Sequence, residues 1–294
     1  MENNKNKVDY CLRGVAMDGM VRFFCTISTN LCEEARRRHD TYPTVTAALG
    51  RTLTAAVMMG MTLKGEEIIS IRFKGNGPLG TVMAEGNSFG EVKGYVDFPK
   101  TDIPRKDNGK LDVGTAVGEG MLYISKDIGM KEPYTGSVPI LTGEIGDDLT
   151  EYFYASEQVL SAVGVGVLVD IDYSVKSAGG FMIQLMPDAR LELGVILDER
   201  IKEMPMSISD YFIHHTPEEL VQYFFDEDYK ILDKKEVSFL CKCSKDNFEK
   251  ALISLGESEL TSLSSDEGIE VVCQYCNEKY WFPIEEIKEL IKSL

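Results

Sequence analysis

Four of the seven cysteines in this 294-residue chain crowd into positions 241 to 276, as a Cys-Lys-Cys pair, Cys241 and Cys243, and a Cys-Gln-Tyr-Cys pair, Cys273 and Cys276. Even scattering would put about one cysteine in such a window. Four thiolates on two short knuckles can converge tetrahedrally on one zinc ion, with sulfur about 2.3 Å from the metal. Iron-sulfur ligation is the competing chemistry, but two knuckles with no further cysteine nearby suit a closed, single-ion zinc site better. The four thiolates with one Zn²⁺ would carry a formal charge of about −2, and Lys242, Lys245 and Lys279 are close enough in sequence to be expected to offset it. Cys11, Cys25 and Cys32 lie far from the cluster and are expected to be core or incidental thiols.

The cluster constrains the fold because the segment around it is small. Residues 236–294 read as a C-terminal unit: a short strand EVSFLC, a helix over 244–255 with Ser244 as its cap and Gly256 as its stop, strands around VVCQYCNEKYWF, and a terminal helix after Pro283. A core alone is marginal at this length, so the unit needs a staple. Two readings stay open. In one, the thiols simply clamp the unit as a zinc ribbon does. Each knuckle is also a ready disulfide pair, and zinc-bound thiolates are the nucleophilic form towards peroxide, so the same site can sense oxidants. Cys241–Cys243 and Cys273–Cys276 bridges would leave the metal no ligand and would close only tiny loops, a poor substitute for a clamp between residues about 30 apart.

The rest of the chain predicts an α+β fold: an N-terminal core domain of mixed sheet and helix (1–187), a helical acidic linker (188–235) and the zinc-binding unit (236–294). Segment 8–29 alternates around Asp18-Gly19 as a hairpin does. Residues 44–63 repeat apolar side chains at helical spacing with Arg51 the only charge, which predicts a core helix starting at Pro43, with Met58, Met59 and Met61 as packing. Period-two segments separated by glycines follow from 68 to 96 and continue over 121–145. Residues 149–163 read as an amphipathic helix, and two more strands end at Pro187. Beyond it the sheet signal fades, and Thr216-Pro217-Glu218-Glu219 is a capping box with proline at the first helical position.

Enzyme motifs occur but fail on context. GNGPLG (75–80) matches a dinucleotide fingerprint, yet Pro78 and the alternating residues after it forbid the helix that would hold pyrophosphate. GNSFG (86–90) matches a nucleophile elbow, but strand-like segments flank it on both sides, which makes Ser88 a hairpin-turn residue. The histidines His39, His214 and His215 supply no metal pair, and Lys110 lacks a phosphate-binding glycine loop. Arg36, Arg37 and Arg38 stand beside Glu33, Glu34 and Asp40, as on an ion-paired helix face. No enzyme activity is expected.

Charge narrows the partners. The chain has 31 basic and 48 acidic residues, a net −17, and residues 201–294 hold 10 of the former and 20 of the latter. A nucleic-acid or anionic-membrane partner needs a cationic face instead. The polar start, Met1 to Lys7, and the lack of any long apolar run predict a cytoplasmic protein without a leader or membrane span.

Taken in order, EARRRH (34–39), TAALGRTLTAA (46–56), GNGPLG (75–80), VKGYV (92–96), KEPYTGSVP (131–139), TGEIGDDL (142–149), AGGFMIQLMP (178–187), TPEEL (216–220), CKCS (241–244) and VVCQYC (271–276) resemble the redox-regulated 33 kDa heat-shock chaperonin family over nearly the whole chain. The resemblance implies an ATP-independent holdase for unfolded clients that is inactive while reduced and zinc-bound. It further implies that oxidation forms the disulfides, releases zinc, unfolds the zinc domain and linker, and favours a homodimer, with hand-over of clients to ATP-dependent foldases. By position the family's zinc and redox cysteines are Cys241, Cys243, Cys273 and Cys276.

Overall fold

The structure is a computed structural model and describes residues 8–263, 267–292 and 294. The chain divides into two compact units, residues 1–240 and 241–294. The reading of Met1 to Lys7 lies outside the described residues.

The first unit is organised by one helix. Strands β1 (Tyr10–Ala16) and β2 (Val21–Ile27) form the expected hairpin, helix α1 (Thr29–His39) follows, and α2 (Pro43–Gly60) begins at its proline. Nearly every side chain of α2 is buried, Met58 and Met59 included, because small and apolar residues cover its whole circumference. Its one charge, Arg51, is neutralised by Glu144 at 2.7 Å. On α1, Arg36 pairs with Glu33, and Arg37 and Arg38 pair with Glu34, so this run is the expected ion-paired face.

Strands β3 (Ile68–Gly75), β4 (Thr81–Asn87), β5 (Glu91–Val96), β6 (Gly120–Asp127) and β7 (Tyr134–Pro139) build one antiparallel sheet beside α2. A β-carbon on Gly86 would sit 2.4 Å from the Ala56 carbonyl, so glycine there is what lets α2 approach β4. The short helix α3 (Val113–Val117) precedes β6. Helix α4 runs Gly146–Ala155, and residues 161–163, expected to close this helix, instead open strand β8 (Ser161–Val169). The alternating valines of β8 pair with β9 (Val175–Leu185), Val163 opposite Met182, and Gln158 breaks the chain direction with φ +56°.

The second sheet has the order β10-β1-β2-β9-β8, where β10 is Tyr229–Glu236. The reading of 188–235 as a helical linker omits this strand. Helices α5 (Leu191–Lys202), α6 (Ile208–His214) and α7 (Pro217–Phe225) occupy most of it, but its end is an edge strand paired with β1. Thr216 caps α7 as expected, accepting from Glu219 N–H at 3.3 Å. The three helices cover the sheet face opposite α2: Phe225 packs on Phe23 with tilted rings 5.4 Å apart between centroids and Phe224 meets Phe181 edge to face at 4.8 Å, in a cluster with Leu197, Phe212 and Leu220. Beyond β10, Ser238–Phe239 forms β11, parallel to β5 in the first sheet.

The second unit contains α8 (Lys245–Leu255), α9 (Glu257–Leu263), the hairpin β12 (Gly268–Val272) and β13 (Lys279–Pro283), and α10 (Ile284–Lys292). Ser244 caps α8 by accepting from Asn247 N–H at 3.3 Å, and Gly256 ends it with φ +84°. Its buried cluster consists of Leu252, Leu260, Phe282, Ile287 and Leu290.

Candidate metal centre

The Cys-Gln-Tyr-Cys knuckle is the turn of the β12–β13 hairpin. Cys273 N–H donates to the Glu278 carbonyl at 2.8 Å, Asn277 N–H donates back to the Cys273 carbonyl at 2.8 Å, and Asn277 takes φ +60°. This tight turn sends both cysteine side chains inward, where Cys273 is 5% and Cys276 2% exposed. The Cys-Lys-Cys knuckle is the extended stretch that ends on the cap of α8, and its thiols are half-buried. The four sulfurs lie within 4.8 Å of one another, with Cys241 Sγ 3.8 Å from Cys273 Sγ and Cys243 Sγ 3.3 Å from Cys276 Sγ. Four ligands each about 2.3 Å from a tetrahedral ion stand roughly 3.8 Å apart. The space between them therefore fits one ion and leaves no room for a polynuclear cluster.

Burial pushes the Cys241 thiol up to about 11 and raises Cys276 as well. Cys243 moves the other way: burial opposes its ionisation, but hydrogen bonding with Tyr280 and Cys276 outweighs it and lowers the thiol below its usual value. Tyr280 is a site residue that the sequence reading missed. Its hydroxyl lies 3.3 Å from Cys243 Sγ and 3.2 Å from the Cys243 carbonyl oxygen, and hydrogen bonding to that sulfur raises the hydroxyl well above the ordinary phenol range. The signal was its position four residues after Cys276 on a strand that folds back over the knuckle, visible only once the hairpin register is known.

Two of the three lysines expected to offset the cluster pair with carboxylates: Lys245 with Glu286 at 2.6 Å and Lys279 with Glu270 at 3.0 Å. Cys11, Cys25 and Cys32 are at most 1% exposed in the first unit, and loss of hydration pushes Cys11 and Cys32 up to about 12, with Cys25 also raised. They are protonated, inert core thiols at neutral pH. The enzyme-like motifs are turns. GNGPLG joins β3 to β4, and Ser88, between β4 and β5, donates its hydroxyl to the Gly65 carbonyl at 2.7 Å. His215 stacks on Tyr211 at 4.3 Å. No helix among the described residues is long and apolar enough to cross a membrane.

The family profile described as Hsp33 protein matches residues 9–283. The chain is 44% identical over 288 residues to the 33 kDa chaperonin of Desulforamulus reducens, covering 97% of this chain and 98% of that one. It is 46% identical over 289 residues to the 33 kDa chaperonin of Brevibacillus brevis, covering 97% and 99%. The crystal structure of the 33 kDa chaperonin of Thermotoga maritima superposes with a TM-score of 0.92 at 36% identity, over 98% of this chain and 99% of that one.

Proposed function

This chain belongs to the Hsp33 family, and from that premise we propose that it is an ATP-independent holdase whose four C-terminal thiols form its redox switch. Membership makes it a chaperone and not an enzyme. The observation that carries the switch is the convergence of Cys241, Cys243, Cys273 and Cys276 within 4.8 Å inside a unit whose buried apolar cluster, among the described residues, is five side chains.

Those four sulfurs, all thiolate donors of one kind, suit zinc. One such ion per chain would keep the thiols deprotonated at neutral pH and cross-link two stretches of chain that the small core cannot hold. A cysteine thiolate of either knuckle attacks one oxygen of hydrogen peroxide. An S–O bond forms, the O–O bond breaks, and hydroxide leaves to be protonated to water. The second thiolate of the knuckle then attacks that sulfur, forms the S–S bond and expels the remaining oxygen as a second water. Each pair of thiolates thus loses two electrons to one peroxide and takes up two protons. With Cys241–Cys243 and Cys273–Cys276 formed, no metal ligand is left.

The second unit then loses its cross-link, and its acidic residues repel one another once they are no longer held. Residues 188–235, a linker in this reading, lead through β11 into Cys241, so loosening 241–294 frees the end of this segment. If α5 to α7 leave, the sheet face carrying Phe23, Phe181 and Ile183 is uncovered for unfolded clients. Association of two activated chains, transfer of clients to ATP-dependent foldases and a cytoplasmic location complete the proposal.

The test follows zinc released to a chromogenic chelator, and light scattering by a thermally unfolding client, with reduced protein and with protein treated with peroxide at raised temperature. Release of one zinc per chain together with suppressed scattering is expected only after oxidation. Equal suppression by the reduced protein, or oxidation with zinc retained, would sink the switch.

A further inference from the structure

Within the second unit, the side chain of Tyr280 reaches the sulfur cluster from a position fixed by two elements. Tyr280 stands on β13 opposite Val271 of β12, and its ring packs on Phe248 of α8 with centroids 5.1 Å apart. From there its hydroxyl contacts Cys243 twice, at Sγ (3.3 Å) and at the carbonyl oxygen (3.2 Å). A cysteine that serves as a metal ligand has no S–H proton. The only proton between Oη and Sγ is then the hydroxyl's, and a bond to an anionic sulfur is stronger than one to a neutral carbonyl. Tyr280 must be the donor and Cys243 the acceptor.

We propose that Tyr280 is a positioning residue of the thiol centre, whose hydroxyl donates to the Cys243 thiolate and thereby slows its attack on peroxide and sets the oxidant level at which the centre opens. This rests on the reading of the four thiols as a zinc redox centre. Its physical basis is that a donated hydrogen bond draws electron density from sulfur, and nucleophilicity falls with that density. The step being slowed is the one in which sulfur donates an electron pair to a peroxide oxygen and hydroxide departs. The hydrogen bond to Sγ also holds the Cys-Lys-Cys knuckle in register with α8, since Ser244 immediately follows and caps that helix.

The experiment uses the full chain loaded with zinc, and a parallel sample loaded with Co²⁺. Tyr280→Phe keeps the ring and its packing on Phe248 while removing the donor. Peroxide-driven zinc release, read with a chromogenic chelator, is expected to accelerate about three- to tenfold. The sulfur-to-cobalt charge-transfer band should shift to longer wavelength, because a thiolate that has lost a hydrogen bond gives up its electron more readily. An unchanged band and an unchanged rate in a variant that still binds one metal per chain would overturn the proposal while leaving the zinc reading intact. Failure of the parent protein itself to bind zinc, or to release it with peroxide, would instead strike that reading. Should Tyr280→Phe not hold metal, 3-fluorotyrosine placed at position 280 alone keeps the fold and strengthens the donor. Slower release and a band at shorter wavelength are then expected, and no change in either would refute the role.

Discussion

The two units solve the same problem of holding a chain together by different means. The first encloses α2 and both sheets in a continuous apolar core, with Leu53, Ile71, Phe73 and Leu122 all at 0% exposure, and covers its remaining sheet face with α5 to α7. The second, among its described residues, has a buried apolar cluster of five side chains beside four converging thiols. Apolar burial, at about 25 cal/mol per Å², is untouched by a mild oxidant, whereas sulfur ligation is not. A protein that joins the two can therefore change state in one part while the other stays folded.

The largest effect should come from the weaker partner of this comparison. Apparent binding energies of structural zinc are about 10–16 kcal/mol, on the scale of a whole domain's stability. Cys273→Ser is expected to lower zinc content and make residues 241–294 protease-sensitive while the first unit keeps its cooperative melt. A zinc-saturated, protease-resistant variant would contradict the ligand assignment.

In the first unit, truncating Phe224, which is 1% exposed against Phe181, should cost about 3–5 kcal/mol. Chemical denaturation of Phe224→Ala would show it as a lower midpoint, with zinc content unchanged. A loss of zinc alongside it would mean that the two regions are not independently held.

The first unit also carries a pH effect that does not involve the thiols. Burial pushes the Asp9 carboxyl up to about 7, against hydrogen bonds from the backbone at Leu31, Asn30 and Thr29 that pull it down. The folded state thus keeps a proton that the unfolded state, with its carboxyl near 3.8, has lost. Stability contributed by that proton is full below about pH 4, falls as pH rises through about 7, and is flat beyond, a change of the order of a few kcal/mol. Thermal melts of Asp9→Asn should lack this slope between pH 4 and 7, and an identical slope in the variant would assign it to another group.

The smallest effect lies in the second unit, where Ser244→Ala removes the cap of α8 at a cost of about 1 kcal/mol. Its signature is a slightly faster loss of zinc to a competing chelator, and no shift in the melt of residues 9–240. A shift in that melt would show the cap to act beyond its own unit.

How much of this was legible in the sequence depends on whether local chemistry or distant partners decide each element. The buried helix α2, the β1–β2 hairpin and the caps at Thr216 and Ser244 are local, and periodicity or a single side chain announces them. The four cysteines were legible because their spacing is itself the chemistry. Strand β10 was not: Tyr229–Glu236 carries the charges Lys230, Asp233, Lys234, Lys235 and Glu236, as an edge strand does to discourage further pairing, and its partner β1 lies more than 200 residues away. The end of α4 was overrun for a similar reason, since Ser161 to Val163 become strand by pairing with β9. Lys245 and Lys279 are near the thiols in sequence, yet in the fold they pair with Glu286 and Glu270.

Backbone amide exchange, followed by mass spectrometry on the zinc-loaded chain before and after peroxide at raised temperature, tests the division most directly. Residues 241–294 should lose protection together with the metal, followed by α5 to α7, while α2 and the strands β2 to β6 keep theirs. Uniform loss across the chain, or a C-terminal unit still protected after its thiols are oxidised, would contradict it.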